Sequence, residues 1–154
     1  MLTHVADRVQ ALHAAGYVRR DIKPGNVLWL PRKKRWTLID FGCVARTGER
    51  AGIGFTLSFA APEVIAAHRA QQQRGAAQHD GIIATEANDA WSMGILAIEV
   101  FTGKPAFGIF HDKQMVRASS DTLQFRLTLE PYMCSIDNEP LHRPALQTCL
   151  QSLA

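Results

Sequence analysis

Four polar residues of this 154-residue chain have the types and the spacing that phosphate chemistry requires. Asp21, Lys23 and Asn26 lie in a bend marked by proline and glycine, and Asp40 follows 14 residues after Asn26. Carboxylate and amide oxygens suit Mg²⁺, which completes its shell with phosphate oxygens and water. Beside such an ion, Asp21 would accept a proton and Lys23 would neutralise a phosphate. This arrangement is typical of phosphoryl transfer, where positioning and charge neutralisation supply most of the catalysis.

A predicted β-hairpin brings these residues together. Residues 27–30 and 36–39 are short apolar runs joined by a basic turn, which is the pattern of two antiparallel strands. Adjacent strands lie about 5 Å apart, so the two ends of a hairpin meet. Asn26, just before the first run, and Asp40, just after the second, are therefore predicted to share one cation.

Helical patterns fill most of the remaining chain and predict a mostly α fold with one small hairpin. Residues 1–16 predict an amphipathic helix, because apolar residues recur at helical spacing and a glycine ends the pattern. Residues 88–103 are apolar on nearly every side, which predicts a helix in the middle of the domain with Asn88 as its N-cap and Gly103 at its end.

The other segments are less regular. Residues 43–60 predict a loop, a short helix opens at 61–63, and residues 69–81 predict an exposed insertion rich in glutamine and alanine. Further helices are predicted at 111–118 and 144–153.

Composition limits the class of protein. A net charge of +3, a hydrophobic fraction of 47% and no run of 18 apolar residues predict a soluble domain without a membrane partner. Four consecutive cations at 32–35 read as a solvated turn, so no nucleic-acid partner is expected. The odd number of cysteines (Cys43, Cys134 and Cys149), without a CxxC pair, favours a reducing compartment. We expect a cytoplasmic location, with the nucleus left open.

Several motifs in order carry a resemblance to a known family. Residues 19–26, RRDIKPGN, are similar to the catalytic loop H-R-D-x-K-P-x-N, and residues 40–42 are D-F-G. Residues 61–63 are A-P-E, and residues 89–95, DAWSMGI, are similar to D-x-W-S-x-G. Each motif alone is weak, but their order and spacing are specific. The whole chain, 1–154, resembles the C-terminal lobe of a eukaryotic-type protein kinase domain of the serine/threonine type.

The resemblance implies a part of the kinase lobe for each segment. Residues 17–30 would be the catalytic loop and the strand after it, residues 40–63 the activation segment, residues 88–103 the central buried helix and residues 144–153 the terminal helix.

The resemblance also implies roles for the four polar residues. Asp21 would be the catalytic base and Lys23 would contact the transferring phosphate of ATP, which favours serine or threonine over tyrosine as the acceptor. Asn26 and Asp40 would bind Mg²⁺ and the ATP phosphates.

Further matching residues lie in or near the activation segment. Thr56 would link the loop that anchors a protein substrate to the catalytic aspartate. Arg20 would receive a phosphate on the activation segment, and Thr47 is the predicted acceptor of that phosphate.

Three residues match structural positions of the family. Glu63 would pair with Arg143 and so connect the activation segment to the last helices. Asp89 would hold the backbone of the catalytic loop from the start of the central helix.

Two departures from the family are visible. Arg19 stands where the family usually has a histidine that packs on the D-F-G phenylalanine, and we expect the longer, charged side chain to turn outward. No GxGxxG sequence is present, so the glycine-rich strand, the strand lysine and the adenine site of an N-terminal lobe are not matched. We therefore expect little activity from the chain alone, and an apolar face that an N-terminal lobe or a partner chain would cover.

Three functions remain open at this stage. One is a serine/threonine protein kinase of which this chain is a part. Another is a catalytically inactive, pseudokinase-like binding or regulatory module. The third is a small-molecule phosphotransferase of related fold, which the A-P-E and D-x-W-S-x-G motifs and Thr56 disfavour.

Overall fold

Three helices and six short strands form the part of the chain that the computed structural model describes, residues 1–52, 54–74 and 81–107. The helices are α1 (Leu2–Ala14), α2 (Pro62–Arg74) and α3 (Glu86–Thr102). The strands are β1 (Tyr17–Val18), β2 (Val27–Leu30), β3 (Arg35–Leu38), β4 (Ala45–Arg46), β5 (Arg50–Ala51) and β6 (Ile82–Ile83). They form three antiparallel pairs, β1–β4, β2–β3 and β5–β6. The prediction of a mostly helical fold with a hairpin is confirmed.

Helix α3 is the centre of the core. Every residue from 88 to 96 is buried, as its apolar sequence predicts. Val5 and Val9 of α1 belong to the same core cluster, and so does Phe59, which precedes α2. Helix α3 therefore packs against both α1 and the segment that follows the hairpin.

The N-terminus of α3 differs from the prediction. The N-cap is Thr85, and the helix begins at Glu86, so Asn88 is a residue of the first turn. Its side-chain oxygen accepts a hydrogen bond from the backbone N–H of Thr85 at 3.1 Å. An asparagine at this third helical position reaches back one turn to the N–H of the N-cap residue, whereas an N-cap side chain accepts from the second or third N–H of the helix. The C-terminal end agrees with the sequence, since Gly103 follows the helix with a left-handed φ of 65°.

The predicted insertion at 69–81 is partly wrong. Helix α2 continues through the first six of those residues to Arg74, because alanine, glutamine and arginine are strong helix formers. The predicted helices at 111–118 and 144–153, together with Arg143, lie outside the described residues.

The β2–β3 hairpin has the predicted strands, with β3 shifted by one residue toward its N-terminus. Val27 lies opposite Leu38, and Trp29 lies opposite Trp36 with ring centroids 5.4 Å apart. Leu28 and Trp29 of this hairpin are among the exposed large apolar side chains, with 45% and 40% of their surface accessible. The sequence predicted an exposed apolar face without locating it in the chain.

Residues 43–60 are more ordered than the predicted loop, because they contain β4 and β5, which pair with strands outside this range. Strand β4 pairs with β1, which follows α1, and β5 pairs with β6 just before α3. Further backbone bonds join Thr47 N–H to the Gly16 carbonyl at 2.9 Å and Gly48 N–H to the Ala84 carbonyl at 2.8 Å. These partners lie far away in sequence, which is why local patterns did not predict them.

Membrane insertion of a helix finds no support in the described part of the chain, where no helix is both long enough and apolar enough to cross a bilayer.

Gly81→Ala is expected to separate β5 from β6. A Cβ at this glycine would lie 2.6 Å from the carbonyl oxygen of Ala51, and the φ of 56° is unfavourable for alanine. We expect faster hydrogen exchange at the backbone amides of Gly48 and Ala84, which bond across this junction.

Gly103→Ala is the matched control. Its φ of 65° carries the same conformational penalty, about 1–2 kcal/mol, but nothing lies within 4 Å of the added Cβ. Equal exchange at Gly48 in both variants would contradict the steric explanation.

Candidate active site

A buried carboxylate with three hydrogen-bonding side chains forms the centre of the candidate site. Asp21 is 7% exposed. Thr56 Oγ1 donates to one carboxylate oxygen at 2.8 Å. Lys23 Nζ lies 2.9 Å from the other oxygen, and Asn26 Nδ2 donates to that same oxygen at 2.9 Å. The structure thus brings together three residues of the predicted catalytic loop and one from the activation segment.

Lys23 and Thr56 also contact each other. Lys23 Nζ donates to Thr56 Oγ1 at 2.7 Å, so the threonine hydroxyl accepts from the lysine while it donates to Asp21. The three side chains form a closed ring. Since Thr56 lies 35 residues from Asp21, this ring attaches the predicted activation segment to the predicted catalytic loop.

The bend itself has a local cause. Pro24–Asn26 form a 3₁₀ turn in which the backbone N–H of Asn26 bonds to the Lys23 carbonyl at 3.0 Å. The Asn26 amide also donates to the backbone carbonyl of Asp21 at 2.9 Å. Because Asn26 is 5% exposed, its side chain holds the loop closed from inside.

The surroundings of Asp21 decide its ionisation. Burial alone would raise its pKa. Burial is outweighed by hydrogen bonds from Lys23 and Thr56, by the positive charge of Lys23 and by the hydrogen bond from Asn26. The pKa of Asp21 is therefore lowered from its usual value. Asp21 is therefore a carboxylate at neutral pH, in the form that accepts a proton.

Asp89, which is fully buried, connects the loop to helix α3. Its two oxygens accept the backbone N–H groups of Arg19 and Arg20, each at 2.7 Å. One of these oxygens also lies 2.9 Å from Nε2 of His13 in the last turn of α1. The carboxyl of Glu86 lies 3.7 Å from Nδ1 of the same imidazole.

His13 had no specific role in the sequence-based prediction. The sequence offered one indication of its contact with Asp89, namely its position at the end of α1. A helix that packs on α3 in this way brings its last turn to the first turn of α3.

Asn26 and Asp40 lie at the same end of the hairpin, as predicted. The backbone N–H of Ile39 bonds to the Asn26 carbonyl at 3.0 Å and extends the β2–β3 pairing by one step. Asp40 is exposed and has a φ of 56°, and its Oδ1 accepts from the Gly42 N–H at 3.3 Å.

The donor set at this end of the hairpin fits a hard cation such as Mg²⁺ or Mn²⁺. Across the described residues, no group of three or more His, Cys, Asp or Glu side chains is arranged to hold a metal. One amide and one accessible carboxylate are hard oxygen donors, and Mg²⁺ takes few protein ligands when phosphate and water complete its shell.

Arg19 does not turn outward, so that expectation is wrong. The side chain is fully buried, and Nη2 donates to the carbonyl of Ile39 at 2.6 Å and to that of Asp40. The guanidinium carbon lies 5.1 Å from the centre of the Phe41 ring. Two carbonyl oxygens and an aromatic face attract the cation, which explains why it stays inside.

The structure does not bring Arg20 to Thr47. Arg20 has a φ of 69°, and its guanidinium donates to the backbone carbonyls of Cys43, at 3.2 Å, and Gly52. Thr47 is exposed, and its backbone N–H bonds to Gly16. Arg20 thus holds both ends of the first part of the activation segment through main-chain oxygens.

Glu63 accepts a hydrogen bond from Nδ2 of Asn88 at 2.8 Å, so it ties the start of α2 to the start of α3. Its predicted partner, Arg143, lies outside the described residues.

The chain is similar to proteins of known family. A family model described as the protein kinase domain matches residues 1–152. Serine/threonine-protein kinase PkaA of Streptomyces coelicolor is 31% identical over 154 residues, which cover 98% of this chain and 25% of that protein.

Two animal proteins show similar identity over a shorter region. Mouse serine/threonine-protein kinase Kist is 32% identical over 102 residues, 64% of this chain and 23% of that protein. Mitogen-activated protein kinase 12 of Danio rerio is 34% identical over 97 residues, 62% of this chain and 23% of that protein. The chain therefore spans about a quarter of the length of these curated relatives.

Lys23→Met is expected to raise the pKa of Asp21. The substitution removes a hydrogen bond and a positive charge but leaves the carboxyl buried, so the one large effect that raises the pKa remains. NMR titration of the Asp21 carboxyl carbon measures the shift directly. Lys33→Met, at an exposed lysine of the hairpin turn, is the matched control and should leave the titration unchanged.

The same shift has a consequence for stability. Because the pKa of Asp21 is lowered in the folded protein, this group stabilises the fold above the pKa it has in the unfolded chain, and the contribution is lost as the pH falls through the lower folded value. Lys23→Met should lose less free energy of unfolding over that acidic window than the unmodified chain. An identical Asp21 titration in both proteins would refute the assignment.

Proposed function

The chain belongs to the protein kinase family, and we propose that it carries the catalytic loop of a serine/threonine protein kinase. The reaction would transfer the γ-phosphoryl group of ATP to a hydroxyl of a protein substrate. The single observation that supports this most is the contact of the buried Asp21 with Lys23 and Thr56, which lowers the pKa of its carboxyl group.

Each member of this ring has a proposed part in the transfer. Asp21 accepts the proton of the substrate hydroxyl as the substrate oxygen bonds to the γ-phosphorus and the bond from that phosphorus to the β–γ bridging oxygen breaks. Lys23 neutralises the charge on the transferred group, and it is held for that purpose by Asp21 and Thr56.

Thr56 supports a serine or threonine acceptor. Its hydroxyl contacts both Lys23 and Asp21. A shift of the segment that holds the substrate would therefore move hydrogen-bond partners of the catalytic carboxylate. PkaA and Kist, which resemble this chain, both carry the name serine/threonine-protein kinase. We infer the same acceptor class here.

ATP and Mg²⁺ are the proposed partners of Asn26 and Asp40. Mg²⁺ would neutralise the phosphates of ATP, and the amide oxygen of Asn26 and the carboxylate of Asp40 would hold it. The accessibility of Asp40 and its place beside Asn26 at the end of the hairpin support this assignment.

The glycine-rich and adenine-binding parts of the site are proposed to come from residues other than these 154, either in a longer polypeptide or in a partner chain. The sequence has no GxGxxG. The exposed Leu28, Trp29 and Phe41 lie in the hairpin and in the turn that follows it, and they would be covered by such a part.

Phosphate transfer from ATP to a serine- and threonine-containing peptide library tests the proposal, with the complete polypeptide that includes these residues. Asp21→Asn should lower kcat by about 10²–10⁴-fold because the proton acceptor is lost. Asp40→Asn should weaken magnesium-dependent nucleotide binding, as measured by calorimetry. Asp7→Asn, at an exposed acid of α1, is the matched control for the loss of one charge.

The outcomes separate this function from its main alternative. Saturable binding of Mg²⁺ and ATP without transfer, in the unmodified protein as in Asp21→Asn, would favour a pseudokinase-like binding module. Transfer that survives Asp21→Asn would show that Asp21 is not the base.

A further inference from the structure

We propose that Arg19 is a positioning residue that presents the Asp40 carboxylate to the metal by holding the turn at residues 39–42, hereafter the metal turn. The proposal rests on the function proposed for Asp40. It assigns a specific task to a charged residue that stands where the family usually has a histidine.

The backbone of Arg19 is itself fixed. Its N–H bonds to the fully buried Asp89 at 2.7 Å, so the residue is anchored to α3. From this anchor the side chain reaches the metal turn, where Nη2 donates to the carbonyls of Ile39 and Asp40. One nitrogen thus binds two consecutive carbonyl groups on either side of the Asp40 N–Cα bond.

The metal turn needs such a support. Asp40 adopts a left-handed backbone with a φ of 56°, which is unfavourable for a residue with a side chain, and it lies beyond the last residue of β3. Asp40 and Phe41 are both exposed, so little packing holds them. Hydrogen bonds to the carbonyls before and after the strained torsion oppose the return of Asp40 to an extended backbone, in which its carboxylate would be displaced relative to Asn26.

The positive charge of Arg19 also contributes to its contact with the metal turn. In the part of the chain that the structure describes, no carboxylate forms an ion pair with its guanidinium, and Nε and Nη1 are buried without a hydrogen-bond partner. The positive charge is offset by the two carbonyl oxygens and by the face of Phe41, whose ring centre lies 5.1 Å from the guanidinium carbon. An unpaired buried cation is costly, so its attraction to the metal turn is the interaction that keeps it inside.

A lysine at position 19 could not form the same contacts. A guanidinium is planar and offers several N–H groups in fixed directions, whereas an ammonium is a compact, strongly hydrated charge. Arg19→Lys keeps the charge and loses the geometry, and Arg19→Met keeps most of the length and loses the charge. Both substitutions therefore remove the guanidinium geometry, and only Arg19→Lys keeps the charge.

The first measurement is hydrogen exchange without any ligand. The amides of Gly42 and Val44 bond to Asp40 Oδ1 and to the Phe41 carbonyl, so they report on the metal turn. Loss of two hydrogen bonds should speed their exchange about tenfold or more in both variants. The amides of Ile95 and Leu96 in the core of α3 should exchange as slowly as before, which also shows that the variants fold.

The second measurement uses Mn²⁺ alone as a paramagnetic substitute for Mg²⁺. In the unmodified chain, Mn²⁺ should broaden the NMR signals of Asn26 and Gly42 first, and both variants should need a severalfold higher concentration for the same broadening. A purely structural role would not change this metal dependence. Arg46→Met is the matched control, because Arg46 also lies over an aromatic ring, at 5.9 Å from the centre of Tyr17, but has no contact with the metal turn.

Three results would overturn the proposal. One is unchanged exchange at Gly42 and Val44 in both variants. The second is an equal rise of exchange in α3, which would mean general destabilisation. The third is a Mn²⁺ response at Asn26 and Gly42 that is missing in the unmodified chain or equal in the variants. Neither measurement includes ATP or phosphate transfer, so the proposed kinase activity fails or succeeds separately.

Discussion

The buried carboxylate of Asp89 is the interaction on which the rest of the site depends. It is fully buried, and its oxygens are occupied by the backbone N–H groups of Arg19 and Arg20 and by the imidazole of His13. One side chain near the start of α3 thereby holds the end of α1 and the entrance to the catalytic loop. Each buried N–H left without this acceptor would cost about 1–3 kcal/mol, so the loop and the core are stabilised together.

From that anchor, two neighbouring arginines reach different later segments of the chain. Arg19 reaches the metal turn, and Arg20 reaches the carbonyls of Cys43 and Gly52 in the activation segment. Both bind main-chain oxygens, which places the backbone independently of the side chains there. Arg20 and Asp40 adopt left-handed torsions, and such strain is kept only where surrounding contacts over-determine the conformation. Arg20 directly precedes Asp21, and Asp40 is itself a residue of the candidate site.

Burial and hydrogen bonding have opposite effects on the pKa of Asp21. A buried carboxyl group alone would favour its neutral form, but Lys23, Thr56 and Asn26 supply charge and hydrogen bonds that favour the ion. The same three contacts set its orientation. Electrostatics and geometry are thus provided by one group of side chains, and a change in any of them affects both.

The sequence by itself determined the local elements and the chemical types at the site. The hairpin strand 27–30, the end of α3 at Gly103 and the burial of that helix follow from periodicity and from turn residues, which act over a few positions. The order and spacing of the motifs were enough to recognise the family, and the hairpin was enough to place Asn26 beside Asp40.

Only the tertiary structure decided which distant groups meet. His13 contacts Asp89 across 76 positions, Arg19 folds inward because carbonyls 20 and 21 residues away accept its hydrogen bonds, and β5 finds its partner β6 beyond α2. No local pattern encodes these choices. A long polar side chain takes the partner that the packed helices bring within reach, and that proximity exists only once α1, α3 and the hairpin have assembled.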